Sequence, residues 1–430
     1  MTTIEATGAA VSVPTVAPRH GIVRFIGNVR AYWRLLIRGA VLLMVTLGIY
    51  RFWLNTDMRR FLWSNTELAG HTLEYTGTAR ELLLGFLIAI AILVPLNVTF
   101  FLLMLYAGME EFAGVAGFVL LTMFGHFAIY RARRYRLTRT VYRGVRCHQT
   151  GSAWRYAVCA MFWWTLNILT LGLIYPMMAA ALERLKLRNT YFGNLGGRFE
   201  GSAGWLFVRG FLLWLLVMGP LFGGLLFGIF ATDWEALIAA LASGSDKAFA
   251  TLDKTTVAAF GILVAALIWL VLAAAVLYPV FQAMVWRWWT SGLRFGDVSV
   301  SSRLRTGQVY RIYLRFLGYS FVFVLVASVM LGLLFAVAAG VGALLARMTG
   351  IPANEIGGVL AGIVGVAGYV AMALGYSAIY QAVVRLGLWQ AIWESLDLSN
   401  ISELDRVSAE GIPSSAVGEG LADALNMGGL

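Results

Sequence analysis

One spaced pattern occurs three times in this chain, each time between long apolar runs: Arg, then Thr, then Gly or Asn, then Gly. The copies are Arg60, Thr66, Gly70, Gly77; Arg134, Thr140, Gly144, Gly151; and Arg184, Thr190, Asn194, Gly201. Self-similarity at fixed spacing marks a duplicated unit, and it constrains the fold because every copy must present the same faces to its neighbours. Here the unit is a membrane helix, a basic turn-rich insert, and a second membrane helix. The fold class expected is an all-α polytopic membrane protein of duplicated helix–insert–helix units, with small turn-rich or β-hairpin inserts on the cytoplasmic side.

Composition supports the membrane reading. The chain is 60% hydrophobic and 13% charged, against about 25% charged in an average soluble domain. Six runs reach the roughly 20 apolar residues that a helical crossing needs: 82–106, 112–130, 205–230, 257–278, 319–345 and 357–378. Pro95 interrupts the first, where it removes a helix hydrogen bond. Residues 1–18 carry Glu5 but no Lys or Arg and lack an apolar run, so they read as a disordered lead and not a cleavable signal. The organisation expected is a lead and basic approach over 1–33, a membrane domain over 34–393 and an acidic cytoplasmic tail over 394–430. Cys147 in a basic loop and Cys159 in an apolar run are not expected to pair.

Charge sets the sidedness. The net charge is +11, while the tail holds seven acids against the single base Arg406. The inserts, about 55–80, 131–155 and 183–209, and the segment 286–315 are basic, whereas the links at Glu110–Glu111 and 231–255 are acidic or sparse. Lys and Arg in short loops mark the cytoplasmic face. The basic excess is therefore a positive-inside bias with contact to anionic lipid, and nucleic acid is not an expected partner.

Two apolar runs break this parity, because 39–54 is short, 153–182 is long, and both have basic segments at each end. Each contains Thr-Leu-Gly, at Thr46–Gly48 and Thr170–Gly172. A helix break there is tolerated only where the freed backbone groups find partners. We favour a re-entrant or interfacial bent hairpin, with a single tilted crossing as the alternative. Within the inserts, 72–75 and 198–199 alternate like short strands closed by Gly77 and Gly201, and 59–65 has the Arg and Trp of an interfacial helix. A degenerate fourth copy reads as Arg287, Leu293, Asp297 and Gly307, with three residues inserted and the Thr lost.

The phrases TLGIYRFW (46–53), RRFLWSNTELAG (59–70) and RRYRLTRTVYRGVRCHQTGSAWRYA (133–157), with GEGLADALNMGG near the end, carry a likeness. The chain resembles the YjgN-like inner-membrane proteins of Gram-negative bacteria, a family of unknown function. That resemblance implies a polytopic inner-membrane protein and brings no functional residue with it. The third copy departs from it, with Asn194 at a Gly position.

Chemistry-bearing residues are few. Ionisable groups inside a membrane mark function by default, since an unpaired charge there costs about 3 kcal/mol or more. The intramembrane polar candidates are Asn97, His126, Asn167 and Glu183, and their scarcity argues against ion-coupled transport. Arg131, Arg133, Arg134, Arg136, Arg139, Arg143 and Arg146, interleaved with Tyr130, Tyr135 and Tyr142, form the candidate contact for anionic lipid, because guanidinium forks suit phosphate oxygens. The alternative is plain topology-setting charge. Small-xxx-small pairs such as Gly358 and Gly362 suit close helix packing, within the bundle or at a homo-oligomer seam. No metalloprotease, serine-hydrolase or P-loop pattern occurs, so no enzyme activity, metal or cofactor is expected. The roles left open are transport, a channel-like or lipid-facing envelope function without ATP hydrolysis, or a membrane scaffold that recruits a partner.

Overall fold

The computed structural model describes residues 21–106, 110–245 and 252–410. The lead before Gly21, the tail beyond Glu410, and parts of the two acidic links lie outside the described residues. Each of the three inserts folds as a β-hairpin: β2 and β3 (Thr66–Leu68, His71–Tyr75), β4 and β5 (Thr140–Tyr142, Val145–Gln149), and β6 and β7 (Thr190–Phe192, Leu195–Phe199). The fourth copy adds β8 and β9 (Leu293–Phe295, Val298–Ser302). A fifth hairpin is split between the chain ends, with β1 (Gly21–Phe25) paired to β10 (Leu396–Ser399) through Gly21 opposite Leu398. Neighbouring hairpins pair antiparallel in turn, and β1 closes onto β2, so the ten strands form one closed barrel.

The all-α expectation is therefore corrected to a helical protein built around a small barrel. Strands of three to five residues cannot stand as isolated hairpins. They persist because each insert lends an edge to the next, a pairing between distant segments that local alternation does not reveal. The turns follow the sequence closely. In the first two hairpins both turn residues have positive φ, Ala69 47° with Gly70 86° and Arg143 52° with Gly144 78°, as a type I′ turn requires. In the next two, Gly moves to the first position, Gly193 at 53° and Gly296 at 56°, ahead of Asn194 and Asp297. That is the type II′ pattern, so Asn194 is a change of turn type and leaves the hairpin intact.

All hairpin turns lie at one mouth of the barrel, and all helices leave from the other. Five helical connections run out and back: α1 and α2 (Val29–Val45, Arg51–Ser64), α3 and α4 (Ala79–Tyr106, Glu110–Thr138), and α5 and α6 (Ala153–Leu169, Tyr175–Leu187). Then come α7, α8 and α9 (Ala203–Ala231, Trp234–Ser243, Lys254–Ser291), and α10 and α11 (Thr306–Thr349, Ala353–Ile379). The last passes through a π-helical turn (Tyr380–Arg385) into α12 (Leu386–Glu394).

Among the described residues, six helices are long and apolar enough to cross a membrane, and in their most apolar windows only 0–28% of residues are buried. The protein is multi-pass. Since α10 has 44 residues, it spans ~66 Å, twice a hydrocarbon core of about 30 Å. The surplus builds a neck between bilayer and barrel, where most of the packed core sits: Tyr32, Leu36, Leu62 and Leu386 in one cluster, Leu187, Leu206, Met284 and Trp288 in another.

α1–α2 and α5–α6 are shorter helical hairpins. Each begins and ends at the barrel, which removes the single-crossing alternative. Their breaks are Schellman motifs: Gly48 N–H donates to Leu43 O at 2.8 Å and Gly172 N–H to Asn167 O at 2.7 Å, with Leu47 and Leu171 in the left-handed region at 50° and 49°. This satisfies the carbonyls that a helix end would otherwise leave bare. Thr46 Oγ1 donates back to Leu42 O at 2.7 Å and accepts from Tyr50 N–H at 3.0 Å, closing the polar groups of the first tip.

Candidate functional site in the neck

The repeat signature explains itself in the neck. The signature Arg reaches forward to the backbone carbonyl that ends its own hairpin: Arg60 to Gly77 O at 2.9 Å, Arg134 to Gly151 O, and Arg184 to Gly201 O at 3.4 Å. In the fourth copy Arg287 does the same to Leu304 O at 3.5 Å. The fourth register is thus Arg287, Leu293, Asp297 and Leu304, with no insertion, and Gly307 is not its end. The signature Thr donates to the carbonyl four residues back, Thr66 to Leu62, Thr140 to Arg136 and Thr190 to Lys186. Thr66 and Thr140 also receive indole N–H groups, from Trp389 at 2.9 Å and Trp63 at 3.0 Å. These three residue types are stitching from helix to barrel and from copy to copy.

The arginines of the second insert do not form one patch. Arg134 holds the clamp just described, and Arg139 pairs with Glu81 at 2.6 Å. Arg146 donates to Thr138 O at 2.6 Å. Arg143 sits at a hairpin turn, on the mouth far from the membrane, and pairs with Asp405 at 2.5 Å. Arg131 and Arg136 are engaged as well. Arg133 is turned inward, with Nη1 buried and without a hydrogen-bond partner.

The intramembrane candidates are likewise dispersed. Asn97 donates to Leu93 O of its own helix beside Pro95, at 2.8 Å. His126 stacks on Trp164 at 6.4 Å. Asn167 lies near the second tip, buried, with Oδ1 unpartnered. Glu183 is at the other end of that hairpin, paired with Lys186. No single cleft gathers the four. Burial works to raise the Glu183 carboxyl, but Lys186 and Arg133 outweigh it and hold it below the usual range. Burial also lowers the Lys186 ammonium against the pull of Glu183. The four residues of copies two and three, Arg133, Arg136, Glu183 and Lys186, form a charged cluster inside the neck that spacing alone did not single out.

The barrel is filled. Leu73, Tyr142 and Phe192 meet inside it, with Leu404 and Val407 of the segment after β10 packed against them. Burial pushes the Cys147 thiol up to about 12. A short 3-10 turn (Ile401–Arg406) carries the chain across the membrane-distal mouth. Glu403 accepts from Asp297 N–H at 2.6 Å, and Ser408 N–H donates to Asn194 Oδ1 at 3.2 Å.

Two cavities open on the neck, each beside the junction of a returning helix with the next outgoing one, and the smaller is walled by the end of α6 as well. One, of about 320 Å³, is lined by Trp53, Thr56, Asp57, Arg60, Thr78 and Arg80. The other, of about 110 Å³, is lined by Tyr130, Gly151, Ser152, Arg155, Arg188 and Asn189, together with Tyr156 and Leu185. Among the described residues no group of His, Cys, Asp and Glu is arranged to hold a metal.

The model of one family matches residues 21–424, and by it the chain belongs to DUF898, a bacterial protein family of unknown function. No curated protein matches. No solved structure matches either.

Proposed function

Membership in a bacterial family without an assigned activity is the premise, and from it we propose that this protein handles phospholipid at the cytoplasmic leaflet of the inner membrane, where the YjgN-like likeness also points. The observation that carries this reading is the pair of short helical hairpins that leave the barrel and turn back at exposed apolar tips. Their tips are apolar and bare: Val45 is 74% exposed, Leu47 94% and Leu169 73%. The second hairpin is free of charge from Tyr156 to Leu182. Its return arm, about eleven residues from Gly172 to Glu183, reaches only ~17 Å, about half of the hydrocarbon core. A wedge in one leaflet, flanked by full crossings and backed by a basic neck, displaces acyl chains on one side while holding headgroups in place.

The filled barrel speaks against an axial pore. With the neck basic, the positive-inside bias supports a cytoplasmic barrel. The test is reconstitution in vesicles with a fluorescent phosphatidylglycerol in one leaflet. Leaflet exchange is expected to exceed that of empty vesicles, without leakage of a trapped dye, and to fall when Leu169 and Leu171 are both changed to Asp. Exchange equal to empty vesicles would end this reading. The scaffold alternative is supported by the segment Ile401–Arg406, which lies across the membrane-distal mouth within reach of a soluble partner.

A further inference from the structure

We infer that the smaller cavity, between α4, α5 and α6, is a binding site for a phosphate group, and that the phosphate is the headgroup of an anionic glycerophospholipid. The inference rests on the lipid reading above and assigns its seat. Two guanidinium groups line the cavity, Arg155 from the first turn of α5 and Arg188 just past the end of α6, and no carboxylate does. Both arginines are exposed, and among the described residues neither side chain has a hydrogen-bond or ion-pair partner. The hydroxyl of Ser152, the amide of Asn189 and the ring of Tyr130 complete the wall. Tyr130 Oη and Asn189 Nδ2 are already committed, to Thr150 O at 2.7 Å and Leu185 O at 2.8 Å, so they shape the cavity and leave the charge to the arginines.

The repeat shows that the fold does not require these two residues. Four positions after the residue that ends each hairpin stand Glu81, Arg155, Trp205, Gln308 and, counted from Gly27, Ala31. Two positions before each first strand stand Ser64, Thr138, Arg188, Ser291 and Glu394. Only the junction of the second and third copies puts Arg at both. Gly151 there is also particular. Its φ is +83°, and a Cβ on it would come within 2.9 Å of Tyr130 Oη and 3.0 Å of the Asn189 side chain. Its counterparts Gly77 and Gly201 are crowded instead by Tyr75 and Phe199, the aromatic residues of their own strands. The cavity stays open only because no side chain grows from that turn.

A phospholipid accounts for what lies beneath. Arg155 heads an exposed stripe on α5 that continues through Val158, 60% exposed, Phe162, 59%, and Leu169, 73%. From Val158 to Leu169 the stripe runs ~16 Å, the depth of one leaflet. Guanidinium forks bind phosphate oxygens in pairs, and an acyl chain can lie along the apolar face below. The volume of about 110 Å³ suits a headgroup phosphate with part of its glycerol, and is too small for a whole lipid.

The test is native mass spectrometry of the delipidated full chain, titrated separately with phosphatidylglycerol, phosphatidylcholine and inorganic phosphate. With about 1 kcal/mol for each Arg, the change R155Q/R188Q should weaken phosphatidylglycerol binding at one site about 30-fold. R155K/R188K should keep most of it, and phosphatidylcholine should change little. Inorganic phosphate that binds the wild type as tightly as phosphatidylglycerol, and is lost in R155Q/R188Q, would overturn the lipid assignment in favour of a free anion. Unchanged phosphatidylglycerol affinity in R155Q/R188Q would overturn the site itself, and vesicle exchange by the same variant then tells whether the broader lipid reading survives. Should the double change lower the melting temperature, R188Q alone, at an exposed helix end, carries the test with roughly the square root of the effect.

Discussion

The Thr of the repeat shows how one residue type is held for two different reasons. Thr66 and Thr190 each donate to a helix carbonyl, but of the two it is Thr66 that accepts an indole N–H, that of Trp389. A Val at either site fills the same space and deletes the hydroxyl. At Thr66 it strands a buried donor, so T66V is expected to destabilise by about 1–3 kcal/mol, whereas T190V should stay below about 1 kcal/mol. T140V should follow T66V, since Trp63 is its donor. Thermal unfolding in one detergent compares the three, and equal losses at Thr66 and Thr190 would show that the indole bond contributes nothing.

At the scale of elements, the Thr-Leu-Gly turns separate two kinds of glycine requirement. Gly48 and Gly172 have φ of +92° and +85°, and nothing lies within 4 Å of the place a Cβ would occupy. Their need is for left-handed backbone, where an L-residue costs about 1–2 kcal/mol, and close approach plays no part. Gly48→Ala and Gly48→Leu should therefore lower stability by the same amount, which a melting series in detergent would read. A much larger loss for Leu would mean that the tip is packed against something in the membrane.

These breaks and the three hairpins were legible because their signals are local: Gly at a turn, alternation over four residues, Arg and Thr at fixed spacing. The fourth copy was legible at Arg287, Leu293 and Asp297 and misplaced only at its end, because Gly307 resembled an ending that Leu304 supplies. The fifth hairpin was not legible at all, since its strands stand at opposite ends of the chain. The neck cavity escaped for a similar reason. Arg155 and Arg188 lie in different copies, and the dense run 131–146 drew attention to arginines that the fold itself uses.

For the whole molecule, the closed barrel turns the chain ends into structural parts. β1 sits between β10 and β2, and the segment after β10 then covers the distal mouth. Two forces hold that segment, and their sizes decide how it behaves. The Arg143–Asp405 pair is exposed, at 36% and 45% of the side chains, and such solvated pairs contribute little and weaken with salt. Leu404 and Val407 are partly buried against Tyr142, Phe192 and Trp393, and at ~1–2 kcal/mol each for a half-buried aliphatic chain they outweigh the pair and are indifferent to salt. The charge attraction is present, but it is the smaller part. A site-specific label pair at Ser408 and Thr72 should therefore give a narrow distance distribution at both low and high salt. D405N should leave it narrow, while L404D should broaden it by placing a charge against the aromatic core. Broadening with salt alone would reverse the ranking and make the tail an electrostatic latch.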